Sequence, residues 1–157
     1  MARDATYRAG YLLSGIEADR VFDALLDVGG FPEWAVGLGR VGAKHPAGHD
    51  ISVLVPGAEL EFVLSAAGLT HTVRSRISTL EPPHTLEWRY LHGASGRGGW
   101  YVEPVGQANT LLSLATDYHV SPAWLDRLAH RPFFRRLTED LLKRSIRRLE
   151  SRIRSRS

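Results

Sequence analysis

His71 and Ser75 are the most suggestive pair of chemistry-bearing residues in the chain. They stand four apart in the segment LTHTVRSRISTL, residues 69–80. In a strand, side chains alternate between faces, so Leu69, His71, Val73, Ser75 and Ile77 share one face. Thr70, Thr72, Arg74, Arg76 and Ser78 share the other. The arginines take the water side, which turns His71 and Ser75 inward. Two readings of this pair stand. One is a polar handle, or a weak acid and base, on the wall of an internal site. The other is a core histidine whose ring is satisfied by the backbone, or a register that leaves both groups in water.

The other reactive residue types form no catalytic set. No G-x-S-x-G elbow is present, and Asp117 should face away from Tyr118 on its strand, so no Ser-His-acid triad is assembled. We assign no catalytic residue. The histidines at 45, 49, 71, 84, 92, 119 and 130 are scattered. His45-x-x-x-His49 lies in a Pro/Gly-rich loop and lacks the Glu of a zinc-protease helix, so no metal ligand and no cofactor are assigned. The glycines from Gly93 to Gly99 join two strand patterns and precede no helix, which makes them a hairpin and not a phosphate cradle.

Aromatic residues supply the rest. Trp34, Phe62, Trp88, Tyr90, Trp100, Tyr118, Phe133 and Phe134 are the set that could surround an apolar ligand. Together with His71, Val73, Ser75, Leu114 and Leu137 they make our expected cavity lining. Each of them could equally fill the core. A buried tyrosine hydroxyl or indole N–H seeks a partner and so could orient a polar ligand atom.

The elements that would carry these residues follow from periodicity. Residues 6–16 read as a first strand. A helix runs to about Asp27, with Val21, Phe22, Leu25 and Leu26 on one face and Asp19 placed to cap it. Gly29-Gly30 ends it, and Phe31-Pro32-Glu33-Trp34 opens a short second helix. Strand patterns follow at 38–44, 51–55, 59–64, 69–80, 85–91, about 100–103 and 110–119. In 59–64, Leu60, Phe62 and Leu64 share a face; in 85–91, Leu86, Trp88 and Tyr90 do. In the last strand Leu112, Leu114, Thr116 and Tyr118 share one. From Pro122 the period becomes helical. Pro132 kinks or restarts the helix, and Phe133, Phe134, Leu137, Leu141, Leu142, Ile146, Leu149 and Ile153 continue one apolar band. Short connections between strands predict antiparallel pairing.

Composition narrows the class. The 157 residues suit one domain spanning 1–157. There is no cysteine, which excludes disulfide and thiolate chemistry and fits a reducing, cytoplasmic setting. No run approaches the ~20 apolar residues of a membrane span, and no apolar signal-peptide run opens the chain. The net charge of +3 conceals an asymmetry: residues 127–157 hold 11 Lys/Arg and 3 Asp/Glu. That basic end is read as a solvated helix face with a frayed tail from about residue 150. The alternative is a surface for anionic lipid or nucleic acid. No aromatic is interleaved among the last arginines, so nucleic acid is not expected.

Several motifs, in order, resemble the START-related helix-grip superfamily, including its polyketide cyclase/dehydrase and lipid-transport family. Ile16-Glu17-Ala18 followed by Val21-Phe22-Asp23-Ala24-Leu25 is similar to its first strand entering its first helix. Asp27 with Phe31-Pro32-Glu33-Trp34 resembles its helix pair, and Gly57 with the strand after it resembles its central strand. Leu80-Glu81-Pro82-Pro83 with Leu86-Glu87-Trp88-Arg89 resembles its L-x-P-P hairpin. Glu103-Pro104 with Thr110 resembles the last hairpin, and the Arg-rich end resembles the terminal helix. The resemblance implies an α+β helix-grip fold, a curved antiparallel sheet wrapped around a long C-terminal helix. It implies a cavity for a small hydrophobic molecule such as a lipid, a polyketide or a quinone-like compound. A binding or transport role leads, with an aromatase/cyclase-type enzyme as the alternative, because this superfold hosts both. A homodimer is compatible with this reading.

Overall fold

The computed structural model describes residues 6–66 and 68–156. Eight antiparallel strands form one sheet: β1 (Thr6–Ser14), β2 (Leu38–Lys44), β3 (Asp50–Ile51), β4 (Glu59–Ala66), β5 (Leu69–Glu81), β6 (Thr85–His92), β7 (Ala94–Val105) and β8 (Asn109–Val120). Their order across the sheet is β1-β8-β7-β6-β5-β4-β2-β3. β4 to β8 are successive hairpins, as the short connections predict. β1 pairs instead with β8, placing the start of the chain beside the last strand. Thr110 secures this corner: its hydroxyl, fully buried, donates to the Ile16 carbonyl at 2.6 Å. Register shifts in β5 against β6, after Arg74 and after Ile77, bend the sheet as bulges do.

Two short helices follow β1, α1 (Ala18–Leu26) and α2 (Phe31–Trp34), separated by a 3₁₀ turn at Val28–Gly30. α1 buries Val21, Phe22, Ala24 and Leu25 at helical spacing. Asp19 does not cap it. The cap position is Glu17, whose side chain makes no capping bond. Asp19 sits in the first turn, where a carboxylate favours the helix N-terminus through charge alone. The C-terminal part divides at Pro132, as expected, into α3 (Ala123–Ala129) and α4 (Pro132–Ser155).

α4 has two unlike halves. Its C-terminal half buries Ser145, Ile146, Leu149 and Ile153 in the main core beside Phe22, Leu25 and Leu112. Its N-terminal half presents Phe134, Thr138, Leu141 and Leu142 to an open space above the sheet. α4 continues to Ser155, because Ile153 is buried and Arg152 is clasped. Arg152 donates from Nε to Glu33 at 2.5 Å and from Nη2 to Asp27 at 3.3 Å, with only 12% of its side chain exposed. Gly30 makes room for it, since a Cβ there would lie 2.5 Å from Arg152 Nη2. No described helix is long and apolar enough to cross a membrane.

Candidate functional site

The space between the bent sheet and the N-terminal half of α4 is a two-lobed apolar hollow. The first lobe, about 360 Å³, lies between α2, strands β2 and β4 to β7, and α4. The second, about 370 Å³, lies between β4 to β8, α3 and α4. Phe62, Leu64, Tyr90, Thr138 and Leu142 border both. Each lobe is at the lower end of the ~300–1,000 Å³ range of small-molecule pockets.

Strand alternation delivers most of the expected residues. Trp34, Ser75, Trp88 and Trp100 border the first lobe, and His71, Val73, Leu114 and Tyr118 the second. Phe62 and Tyr90 belong to both. Phe134 also reaches the second lobe. Phe133 does not: it is 66% exposed and meets Phe134 edge-on on the outer side of the helix start. Successive helical residues are turned by about 100°, so only one of the two phenylalanines can face inward. Leu137 is half-buried and borders neither lobe. The inward stripe of α4 runs 134, 138, 141, 142 and 145, leaving 133 and 137 on its flank.

The polar groups of the hollow are few and mostly engaged. His71 Nε2 donates to the Gly93 carbonyl at 2.6 Å, so this ring is tied to the backbone across the β6–β7 turn. The Tyr90 hydroxyl lies 3.0 Å from Thr116 Oγ1. Burial pushes the Tyr90 phenol above its usual range, opposed in part by hydrogen bonds with Thr116 and Trp88. Burial also raises Tyr118, with Tyr90 adding to the effect. Both therefore stay protonated; Tyr90 is engaged with Thr116, which leaves the Tyr118 hydroxyl to donate to a ligand. Ser145 Oγ accepts from the Val36 N–H at 2.8 Å and donates to Leu141 O at 2.7 Å, joining the α2–β2 connection to α4 at the first lobe. Trp34 is buried at the rim of that lobe, and its indole N–H has no hydrogen-bond partner among the described residues.

Gly98 sets the shape of the floor. A Cβ there would lie 2.7 Å from Trp88 Cζ2 and 3.0 Å from Thr116 Oγ1. The missing side chain lets the Trp88 indole lie across β7 and lets Tyr90 reach β8. The glycine run is thus a packing device as well as a hairpin.

Sequence reasoning did not find a second cluster, at the end of β8. Asp126 on α3 accepts from the Val120 N–H at 2.8 Å and from both His119 Nδ1 (3.3 Å) and His130 Nε2 (3.0 Å). Burial opposes its ionisation, but these three partners outweigh it and hold the carboxyl below its usual range. The Asp126-x-x-x-His130 spacing was visible as a helical pair. His119 joins only because the chain turns sharply between β8 and α3. On the opposite face of the sheet, a groove of about 560 Å³ is bordered by Arg8, Glu87, Arg89, Arg97, Tyr101 and Asp117. Its charged lining makes it a wet channel, unsuited to apolar ligands.

Fold and hollow together define a helix-grip protein with an internal apolar cavity. A family profile, polyketide cyclase / dehydrase and lipid transport, matches residues 14–154, and the chain belongs to that family. The fold is shared with TTHA0849 from Thermus thermophilus (TM-score 0.75, 15% identity, 97% of this chain and 99% of that one). It is shared with the Zhui aromatase/cyclase from Streptomyces sp. R1128 (TM-score 0.72, 17% identity, 96% and 95% covered). A START superfamily protein from Mycobacterium smegmatis is also similar (TM-score 0.70, 14% identity, 97% and 99% covered). At these identities the likeness is one of fold. No curated protein matches the chain by sequence.

Proposed function

We propose that this protein binds, and carries or presents, a small apolar or aromatic molecule bearing at least one hydrogen-bond acceptor. The observation that carries this reading is the two-lobed hollow between the sheet and the N-terminal half of α4. Desolvation supplies the drive: removing about 300 Å² of ligand apolar surface from water contributes about 7.5 kcal/mol at ~25 cal/mol per Å². The Trp34 indole N–H and the Tyr118 hydroxyl are the donors that would select an acceptor-bearing ligand over plain hydrocarbon. The Cys-free composition supports a cytoplasmic setting.

Mass spectrometry of gently denatured protein tests this directly, by looking for a molecule carried through purification. Titration with an apolar fluorescent probe is the second arm. Leu142→Trp, at the junction of the lobes, should abolish saturable probe binding while the fold persists. Unchanged probe binding in that variant would remove the cavity from consideration.

An enzymatic reading has one observation in its favour: His71 and Tyr118 border the same lobe. In an aromatase/cyclase they would serve proton transfer on a poly-ketone chain. Full turnover by His71→Ala on an identified substrate would exclude His71 from that role.

A further inference from the structure

We propose that His119, Asp126 and His130 form a binding site for a divalent transition-metal ion, zinc being the best match, whose occupancy fastens α3 over the end of the second lobe. Imidazole nitrogens and a carboxylate oxygen are the donor set that zinc takes, at ~2.0–2.1 Å. Around a tetrahedral ion at that distance, neighbouring donor atoms stand about 3.3–3.4 Å apart. Asp126 Oδ2 lies 3.3 Å from His119 Nδ1, and its other carboxylate oxygen, Oδ1, lies 3.0 Å from His130 Nε2. All three donor atoms lie within 4.8 Å of one another. Small ring rotations about χ2 would converge them on one ion. Three protein ligands leave a position for water or a ligand atom.

Supporting contacts of the kind that orient metal ligands are also in place. The Val120 N–H fixes the Asp126 carboxylate, and the Tyr118 ring packs 5.2 Å from the ring of His130. The placement gives the ion a purpose. α3 buries none of its residues, so hydrophobic packing holds it weakly. Yet Leu125, Leu128 and Ala129 close one side of the second lobe. Bonds from an ion to His119 on β8, to Asp126 on α3 and to His130 just past its end would reinforce the link that Asp126 already makes to Val120 and His119. This inference concerns the α3 clasp and stands independently of which molecule fills the hollow.

The full chain, stripped with chelator and titrated with zinc chloride by calorimetry, should bind one equivalent, and cobalt(II) should give a ligand-field spectrum with the same stoichiometry. His119→Ala and His130→Gln should each weaken binding by more than about tenfold, since a direct ligand matters at least as much as the outer partners whose loss costs 10–100-fold. Both side chains are partly exposed, so the variants should fold, as circular dichroism would verify. His45 and His49, whose rings stack with centroids 4.5 Å apart, are the internal control. The variant His45→Ala/His49→Ala should bind zinc like the parent. Saturating zinc should slow amide exchange across residues 121–131. The site is overturned if no stoichiometric binding occurs, or if binding survives His119→Ala and disappears with the 45/49 pair. Unchanged exchange in 121–131 at full occupancy would overturn the fastening role.

Discussion

The Tyr90 hydroxyl crosses an entire strand to meet Thr116 Oγ1 at 3.0 Å, passing over the glycines of β7. Tyr90 lies on β6 and Thr116 on β8, and the contact sits where the two lobes of the hollow meet. It fixes a phenol at the centre of an otherwise oily surface. Because burial disfavours leaving either group unpaired, the two should behave as a unit. Thr116→Val leaves the tyrosine hydroxyl with Trp88 as its remaining partner and should cost about 1–3 kcal/mol in denaturant unfolding. Adding Tyr90→Phe should recover part of that loss. Strict additivity in this double-mutant cycle would show that the pair is not coupled.

Gly98 makes that crossing possible. Its replacement by Ala puts a methyl group 2.7 Å from the Trp88 indole. The indole must tilt, so overpacking should cost about 1–3 kcal/mol and shift tryptophan emission. A variant as stable as the parent, with unchanged emission, would show that the floor is more pliant than its geometry implies.

Arg152 joins the end of α4 to the connection between α1 and α2. Arg152→Ala removes charge-assisted hydrogen bonds to Asp27 and Glu33, at about 1.5–3 kcal/mol for such bonds. Both carboxylates are partly exposed and rehydrate on its loss. The net cost should therefore be nearer about 1–2 kcal/mol. Lys in its place should not restore stability fully, because one ammonium cannot reproduce the fork that spans two carboxylates. Midpoints from urea unfolding would measure both.

Alkali should destabilise the fold through its tyrosines. Burial, with Tyr11 and Glu139 nearby, pushes Tyr7 up to about 12, and burial with Glu87 pushes Tyr101 up to about 12. Between the ordinary value of 10.0 and 12 the folded state holds more protons than the unfolded chain. The stabilisation is thus complete below about pH 10 and declines as pH rises towards about 12. Tyrosinate absorbance should show a class ionising near 12 while the protein is folded. Titration of every tyrosine near 10 in folded protein would contradict this.

Much of this was legible from one dimension, and the reason is periodicity. Alternation placed Leu60, Phe62, His71, Val73, Ser75, Trp88 and Tyr90 on inward faces, because a strand's side-chain period of two needs no partner to be read. The helical stripe found Ile146, Leu149 and Ile153, and Pro132 marked the break between helices. What the sequence could not supply was where one element stops meeting another. Whether α4 meets the α2–β2 connection at Ser145 or spans a hollow at Thr138 depends on sheet curvature, which bulges and the β1–β8 pairing set. The rotation of α4 about its own axis sent Phe134 inward and left Phe133 in water. Arg152 reaching Glu33, and His119 meeting Asp126 and His130, likewise required the folded chain. Local pattern dictates which face is apolar, whereas the gaps and long-range polar contacts that make a site arise only when curved elements are brought together.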